Sequence, residues 1–426
     1  MQSLKYSEAL GKLEGLGKFG MKLGLERISA ILEAMGNPQD SLKIVHVAGT
    51  NGKGSTSTMI SNTLIHAGYK TGLFISPYVL CFRERMQVNA QMISEEDFAE
   101  VASYVFDIAE NIKVELTQFE IETAIAFEWY KRMQCDFVVL EVGLGGRYDS
   151  TNVIKTPLVQ VIASISMDHT GVLGDTIEKI AMEKAGIIKG NDTIIYPIQK
   201  PEAMKVLIDK CNSVKSRYTI PEIESLKVLD EGWEKKRFIY DGVEYEKSLN
   251  GEFQLYNAIT VIEACRALRR RNIDIKEEDV RYAIAHTYFP ARMEVLSKKP
   301  LVILDGSHNP DGATALETSL KKLKDKNITV IMGVLADKDY SDILTKVATY
   351  ASKFVAVTPN NPRALTAKEL SEKAAEFCDN CIYYEDVAKA VDETVDGLNE
   401  SDVLISCGSL YLASETRELL IKKLGK

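Results

Sequence analysis

The chain has 426 residues, 45% of them hydrophobic and 27% charged, with a net charge of −9. That length exceeds one ordinary core and points to two or three domains, and the charge argues against nucleic acid as the main partner, while local Lys and Arg can still hold an anionic substrate. Met1-Gln2-Ser3-Leu4-Lys5-Tyr6-Ser7 has no apolar signal core, and no apolar run approaches the ~20 residues of a membrane span, so no membrane association and a cytoplasmic location are expected.

The first strong pattern is a strand-like run, Ile44–Ala48, then Gly49-Thr50-Asn51-Gly52-Lys53-Gly54-Ser55-Thr56, then a helix-like run, Ser57–Ala67. Strand, glycine-rich turn and helix is the setting in which backbone N–H groups and a helix N-terminus cradle phosphates. Lys53 would place its ammonium on the β/γ-phosphates of ATP, and a hydroxyl just after it can reach Mg²⁺. The pattern departs from a strict Walker A motif: Val47 takes the place of its first glycine, and Gly54 intervenes between Lys53 and Ser55. A glycine-rich turn alone can be only a tight turn; the Lys and Ser between strand and helix make it a nucleotide site.

Strand Thr71–Ile75 runs into Ser76-Pro77, where Ser76 is either a metal ligand or part of a plain turn. Helices are predicted over Ser94–Ile112, with Ser94 and Asp97 as a capping pair, and over Ile121–Arg132. Strand Phe137–Glu141 ends on an acid. A carboxylate at the end of a buried strand is costly unless paired or metal-bound, so Glu141 reads as a Walker B group. The glycines after it allow close backbone approach. Strand Leu158–Ser164 leads to Ser166-Met167-Asp168-His169-Thr170. A lone His after a strand is usually structural, but this strand runs parallel to that of Glu141, which places His169 to share a metal. Helix Ile177–Ala185 and strand Thr193–Tyr196 follow. Apolar strands alternating with helices imply a mostly parallel sheet covered on both faces.

Residues 197–250, rich in Pro, Lys, Glu and Tyr, read as a small antiparallel insertion with a strand at Lys235–Tyr240 beside the Asp241-Gly242 turn. A helix from Asn257 to Arg271 comes next, and the boundary is expected at Ser297-Lys298-Lys299-Pro300, giving domains 1–296 and 297–426. Strand–helix alternation then restarts: strands Leu301–Leu304, Thr329–Met332, Phe354–Val357 and Val403–Ser406, and helices Ala313–Leu323, Ser341–Tyr350, Ala367–Phe377 and Leu412–Leu424. Arg292 precedes the boundary and Asp305-Gly306-Ser307-His308-Asn309-Pro310 ends the first strand beyond it, so polar groups on both sides imply a nucleotide cleft. The cysteines are odd in number and scattered, which fits reduced thiols, and the lone Cys378-Asp379-Asn380-Cys381 reads as incidental spacing.

Taken together and in order, these segments resemble the Mur-ligase superfamily, and within it the folylpolyglutamate synthase and dihydrofolate synthase branch. The matching segments are Gly49 to Ser55, Ser76-Pro77-Tyr78-Val79, Glu141 to Arg147, Asp168 to Thr170, Glu183 to Lys189 and Asp305 to Pro310. Gly24 to Ile28, Asp337-Lys338-Asp339, Thr358 to Ala364 and Cys407 to Tyr411 match as well, so the resemblance spans nearly the whole chain. Departures are Tyr78 and Val79 for His-Leu, Ala90 for Gly and Ser307 for Ala; they touch loop shape and pterin fit rather than phosphate chemistry.

The resemblance implies an α/β protein: an N-terminal P-loop ATPase domain with a mostly parallel sheet, and a smaller, Rossmann-like C-terminal glutamate-ligase domain. It implies that Gly49, Thr50, Asn51, Gly52, Lys53, Gly54 and Ser55, with Asn257, Arg292 and Asp305, bind ATP. Ser76, Glu141, His169 and a carbamylated Lys184 would hold two Mg²⁺ ions, since an unmodified ammonium beside them would repel the metals. Lys53, Lys184, His169 and Arg292 would serve catalysis. Thr117, Gln118, Phe119, Glu120, Tyr148, Asp149 and Ser150 would line the pterin site, and His308 and Asn309 would belong to the glutamate side of the C-terminal domain. The implied reaction joins L-glutamate to a reduced folate, and also to dihydropteroate, through an acyl phosphate made from ATP. A monomer is expected. Alternatives are a polyglutamate-only ligase, another Mur-type amino-acid ligase, and an ATPase switch that turns ATP over without an amino acid. Cell-wall ligases of the superfamily are disfavoured because they commonly carry an extra N-terminal domain, for which too few residues precede the first strand.

Overall fold

The computed structural model describes residues 4–19, 24–233, 236–337 and 340–425. The chain folds as two compact units, one running to Lys247 and resuming over Tyr256–Thr287, the other made of Ser248–Leu255 and the chain from Tyr288 onward.

The first unit is built on eight strands: β1 Lys43–Ala48, β2 Thr71–Phe74, β3 Met86–Val88, β4 Gln91–Met92, β5 Phe137–Glu141, β6 Val159–Ile162, β7 Asp192–Ile195 and β8 Arg217–Thr219. Their spatial order is β4-β3-β2-β5-β1-β6-β7-β8. The six from β2 to β8 pair in parallel, and β3 and β4 add an antiparallel margin. Every residue of β5 and β6 is buried, as expected of central parallel strands with helices on both faces. The chain leaves β1 for β2 on one side, and β5 crosses β1 to reach β6 on the other. The carboxyl end of β1 is therefore a topological switch point, where open α/β sheets place their ligands.

Helices Tyr6–Gly15 and Glu26–Ala34, which the sequence reading leaves unassigned, bury Ala9, Leu13, Ile28, Ile31 and Leu32 in the core beneath helices Glu95–Ile112 and Gln118–Arg132. Ser94 caps the first of those, its hydroxyl accepting the Asp97 N–H at 2.9 Å.

Residues 197–250 are not a purely antiparallel insertion. They begin with helix Pro201–Ser213 and strand β8, which extends the parallel sheet. Only then comes a three-stranded antiparallel sheet of β9 Leu226–Glu231, β10 Lys236–Tyr240 and β11 Val243–Glu246. Lys235, at the start of the expected strand, lies outside the described residues.

The second unit has β12 Glu294–Lys298, β13 Leu301–Leu304, β14 Ile328–Met332, β15 Lys353–Val357, β16 Cys381–Tyr384 and β17 Val403–Cys407, in the order β12-β13-β17-β14-β15-β16. Its compact unit begins before the expected boundary at 297. The Ser297–Pro300 stretch is no linker: Ser297 and Lys298 sit in β12, paired antiparallel with β13. All seven cysteines are free. Among the described residues no helix is long and apolar enough to cross a membrane.

Candidate functional site

Four loops leave the carboxyl ends of β1, β2, β5 and β6, and the expected phosphate and metal residues of the first unit sit on them or on the helix packed against them. The glycine-rich loop after β1 is anchored on its neighbour. Thr50 N–H and Asn51 N–H both donate to Ser164 O, at 2.7 and 3.3 Å. The Thr50 hydroxyl donates to Ser166 O at 3.2 Å and accepts the Ser166 N–H at 3.1 Å. Gly52 turns the chain with φ +82, and a Cβ there would lie 2.6 Å from Asn257 Oδ1. Both the left-handed backbone and the Asn257 side chain thus require glycine. The helix begins at once, at Lys53, rather than at Ser57. Its first ladder bond is Thr56 N–H to Gly52 O, 2.9 Å, so the amides of Lys53 and Gly54 precede the ladder at the positive end of the helix dipole.

Charge converges on this loop. Lys53 Nζ donates to Thr50 O at 3.1 Å and stands 3.9 Å from Glu141 Oε1. Glu141 is buried, and its other oxygen accepts the Ser76 N–H at 3.1 Å. Lys184, on helix Ile177–Ala185, is 3% exposed, and its Nζ donates to Gly49 O at 2.9 Å. Gly146 lets that helix come close: a Cβ there would lie 2.7 Å from Glu183 O and 3.0 Å from Lys184 Cα. Arg147 N–H seals the contact on Glu183 O at 2.7 Å. Burial, and then repulsion from Lys53, push the Lys184 amine down to about 7, against the pull of Asp168 and Asp149.

His169 lies on the loop after β6, in left-handed backbone at φ 50 and largely exposed, with Nε2 3.8 Å from Asp168 Oδ1. Among the described residues, no three or more His, Cys, Asp or Glu stand together as a ready metal cluster. The donors present suit Mg²⁺ in part. Glu141 with Ser76 offers hard oxygen ligands. Unmodified Lys184 is a hydrogen-bond donor and fits no cation; as a carbamate it would present oxygens instead.

The residues expected at the pterin site divide. Thr117 and Glu120 form a capping box at the start of helix Gln118–Arg132, Thr117 N–H and hydroxyl donating to Glu120 Oε2 at 2.8 and 2.9 Å. Glu120 also pairs with Arg27 at 3.0 Å. Gln118 donates to Glu122 Oε1 at 2.8 Å, and the Phe119 ring abuts Gly143. Tyr148 is exposed beneath the Arg147 guanidinium, while Asp149 and Ser150 are buried. Asp149 takes the Leu144 N–H at 2.8 Å and the Thr151 hydroxyl at 2.5 Å, yet burial still raises its pKa. Behind it, His46 of β1 donates from Nε2 to Thr151 Oγ1 at 2.8 Å. Burial lowers the His46 pKa to about 3, which keeps the imidazole neutral. No motif in the sequence marks His46; a His inside an otherwise apolar buried strand is the available signal.

In the second unit, Asp305 follows β13 and accepts the Met293 N–H and Ser307 N–H, both at 2.9 Å. Arg292 donates to Ala291 O at 3.2 Å. His308 Nδ1–H donates to Gly306 O at 3.0 Å, and Asn309 caps helix Pro310–Lys321 by accepting the Gly312 N–H at 2.9 Å. Asp337 pairs with Arg363 at 2.7 Å; Lys338 and Asp339 lie outside the described residues.

Two family models match the chain: the Mur ligase middle domain over residues 47–265, and the Mur ligase glutamate ligase domain over residues 291–410. A dihydrofolate synthase/folylpolyglutamate synthase of Bacillus subtilis is 35% identical over 430 residues, spanning 97% of this chain and 99% of its own length. A folylpolyglutamate synthase of Lacticaseibacillus casei is 31% identical, spanning 98% and 99%. Among solved structures, Escherichia coli FolC in complex with DHPP and ADP superposes with a TM-score of 0.87 at 30% identity, covering 99% of both chains. Mycobacterium tuberculosis folylpolyglutamate synthase complexed with ADP and AMPPCP gives 0.86 at 28%, covering 97% of this chain and 99% of its own.

Proposed function

We propose the following chemistry for this chain, which belongs to the Mur ligase family and, within it, to the folylpolyglutamate synthase/dihydrofolate synthase branch. It is an ATP-dependent ligase that forms an amide between a pteroyl-type carboxylate and the amino group of L-glutamate. The substrates are a reduced folate and also dihydropteroate, and the protein works as a monomer. The observation that carries this reading is the convergence of Lys53 and Lys184 on the glycine-rich loop, with Glu141 at its base.

The substrate carboxylate attacks the γ-phosphorus of ATP, and the β–γ bond breaks to release ADP and leave an acyl phosphate. The glutamate amine then attacks the acyl carbon; a tetrahedral adduct collapses, expelling inorganic phosphate as the amine gives up its proton. The first step brings an anion onto a polyanion, so neutralising charge is the main task. Lys53 supplies a fixed ammonium within reach of the loop, and the amides of Lys53 and Gly54 face the phosphates at the helix start. Arg292 and Asp305 of the second unit are assigned further ATP contacts, and His308 and Asn309 the glutamate side. When bound, Mg²⁺ adds charge neutralisation at the transferring phosphoryl group.

Glu141, Ser76, His169 and a carbamate on Lys184 are the proposed Mg²⁺ ligands. An amine with a pKa of about 7 is substantially neutral at physiological pH. It can attack CO₂, forming the N–C bond and releasing one proton. The carbamate is an anion and would supply the oxygen donors that Mg²⁺ prefers.

The test is ADP release with dihydropteroate or tetrahydrofolate, each with and without L-glutamate and Mg²⁺. Extension of tetrahydrofolate with no use of dihydropteroate would leave the polyglutamate-only reading. ADP release indifferent to both pteroyl substrate and glutamate would leave an ATPase switch.

A further inference from the structure

Beyond β6 the chain continues as an extended segment that its neighbour no longer accompanies. β7 ends at Ile195, and the last ladder bond between them is Tyr196 N–H to Ile162 O at 2.8 Å. The next residues, Ala163-Ser164-Ile165, remain paired on the β1 side. Ala163 N–H donates to Ala48 O at 2.7 Å, and Ser164 O takes the Thr50 and Asn51 amides of the glycine-rich loop. On the side that β7 has left, one side chain takes over. Gln199 Nε2 donates to Ala163 O at 2.8 Å, and Gln199 Oε1 accepts the Ile165 N–H at 3.0 Å. A residue of a parallel strand bonds the carbonyl before and the amide after its opposite number. The Gln199 amide reproduces that pair of bonds around Ser164.

We propose that Gln199 is a positioning residue for the phosphate loop, a side-chain substitute for one residue of the missing strand. It holds Ala163 and Ile165 and thereby fixes the direction of the Ser164 carbonyl between them. That carbonyl is the acceptor that sets the Thr50 and Asn51 amides, and Gly52 and Lys53 follow directly. Ile165 is almost fully buried, so loss of the amide leaves its N–H without this acceptor at a site with little access to solvent. The role rests on the nucleotide reading of the loop, and it deepens that reading.

The experiment measures MgADP binding by calorimetry, and KM for ATP and for the pteroyl substrate, in wild type, Gln199→Met and Gln199→Ala. Methionine keeps the length and bulk of glutamine without its hydrogen bonds. The expected result in both variants is MgADP affinity weaker by about tenfold and ATP KM raised alongside, the scale expected from losing the two part-buried hydrogen bonds, with pteroyl KM within about twofold. Thermal unfolding of each variant reports whether the fold is kept. MgADP affinity in Gln199→Met within twofold of wild type overturns the proposal. So does equal weakening for nucleotide and pteroyl substrate, which would signal general loosening. A wild-type chain that binds no MgADP overturns the nucleotide reading of the loop, and this inference with it; normal wild-type binding with unaltered variants overturns only the role of Gln199.

Discussion

The carboxyl edges of the two parallel sheets carry similar polar loops and use them differently. At the edge of the first unit, Lys53 and Lys184 share a small volume with Glu141, and the Lys184 amine is pushed down to about 7 by burial and by the neighbouring ammonium. At the edge of the second, Asp305 takes two backbone amides, and Asn309 and Ser409 each cap a helix through one. The first edge holds charge in an arrangement that favours an arriving anion; the second holds loop shape. The difference teaches where a substitution should be felt. On the first edge, removing a charged side chain should appear as lost activity with little lost stability; on the second, removing a capping side chain should appear as lost stability.

The largest expected effect is that of Lys53→Ala. Removing the cation proposed to face the phosphates should lower turnover by about 10³-fold or more. The fold should be kept, because the change relieves Lys184 of a neighbouring cation while it deprives buried Glu141 of one. ADP release and thermal melts on the same preparation check both halves, and wild-type turnover would take the loop out of the chemistry.

Lys184 sharpens the comparison through pH. Its amine titrates near 7 in the folded chain and near the ordinary 10.5 when unfolded. Between those values the unfolded chain binds more protons, so wild-type stability rises with pH, by up to about 1.4 kcal/mol per unit. Below pH 7 the burial cost is fully present. In CO₂-free buffer, Lys184→Met should therefore exceed wild type in stability most at pH 6, with the gap closing towards pH 10. Denaturant melts across that range would show a constant gap if the buried amine is not the cause.

Gly146→Ala breaks the close approach itself. The new methyl would meet Glu183 O at 2.7 Å. Overpacking of this kind costs about 1–3 kcal/mol, and displacing the Lys184 helix should reduce activity as well. Unchanged turnover in a folded variant would mean the approach is not needed. The smallest effect is expected on the second edge: Asn309→Ala should cost about 1 kcal/mol of stability through its lost helix cap, with MgADP binding to the chain unaltered.

Much of this arrangement was legible in sequence, for physical reasons that differ by element. Phe137–Glu141 and Ile177–Ala185 match their observed bounds, one as a continuous apolar run in a buried strand, the other as an amphipathic helix with a Thr176 cap. Gly52 and Gly54 look like turn residues, which moves the expected start of the helix after the phosphate loop to Ser57; it starts at Lys53, directly after Gly52 in left-handed backbone, with Gly54 inside its first turn. Strand β8 is short and mostly exposed, and β12 is broken by a bulge, so neither carries a clear period. Thr117 and Glu120 illustrate a further limit. Their residue types suit a ligand, but their side chains close a capping box; the Thr-x-x-Glu spacing fits either role, and the structure shows the cap. His46 and Gln199 act through contacts distant in sequence, which no local motif announces.

The central claim is that this site activates a pteroyl carboxylate for attack by glutamate, and the most direct measurement is ADP release by the purified chain as each component is withheld in turn. The account predicts that ADP forms at a sustained rate only with ATP, Mg²⁺, a pteroyl carboxylate and L-glutamate together, with one glutamyl amide made per ADP. Sustained ADP release of equal rate without the pteroyl substrate and glutamate would contradict it.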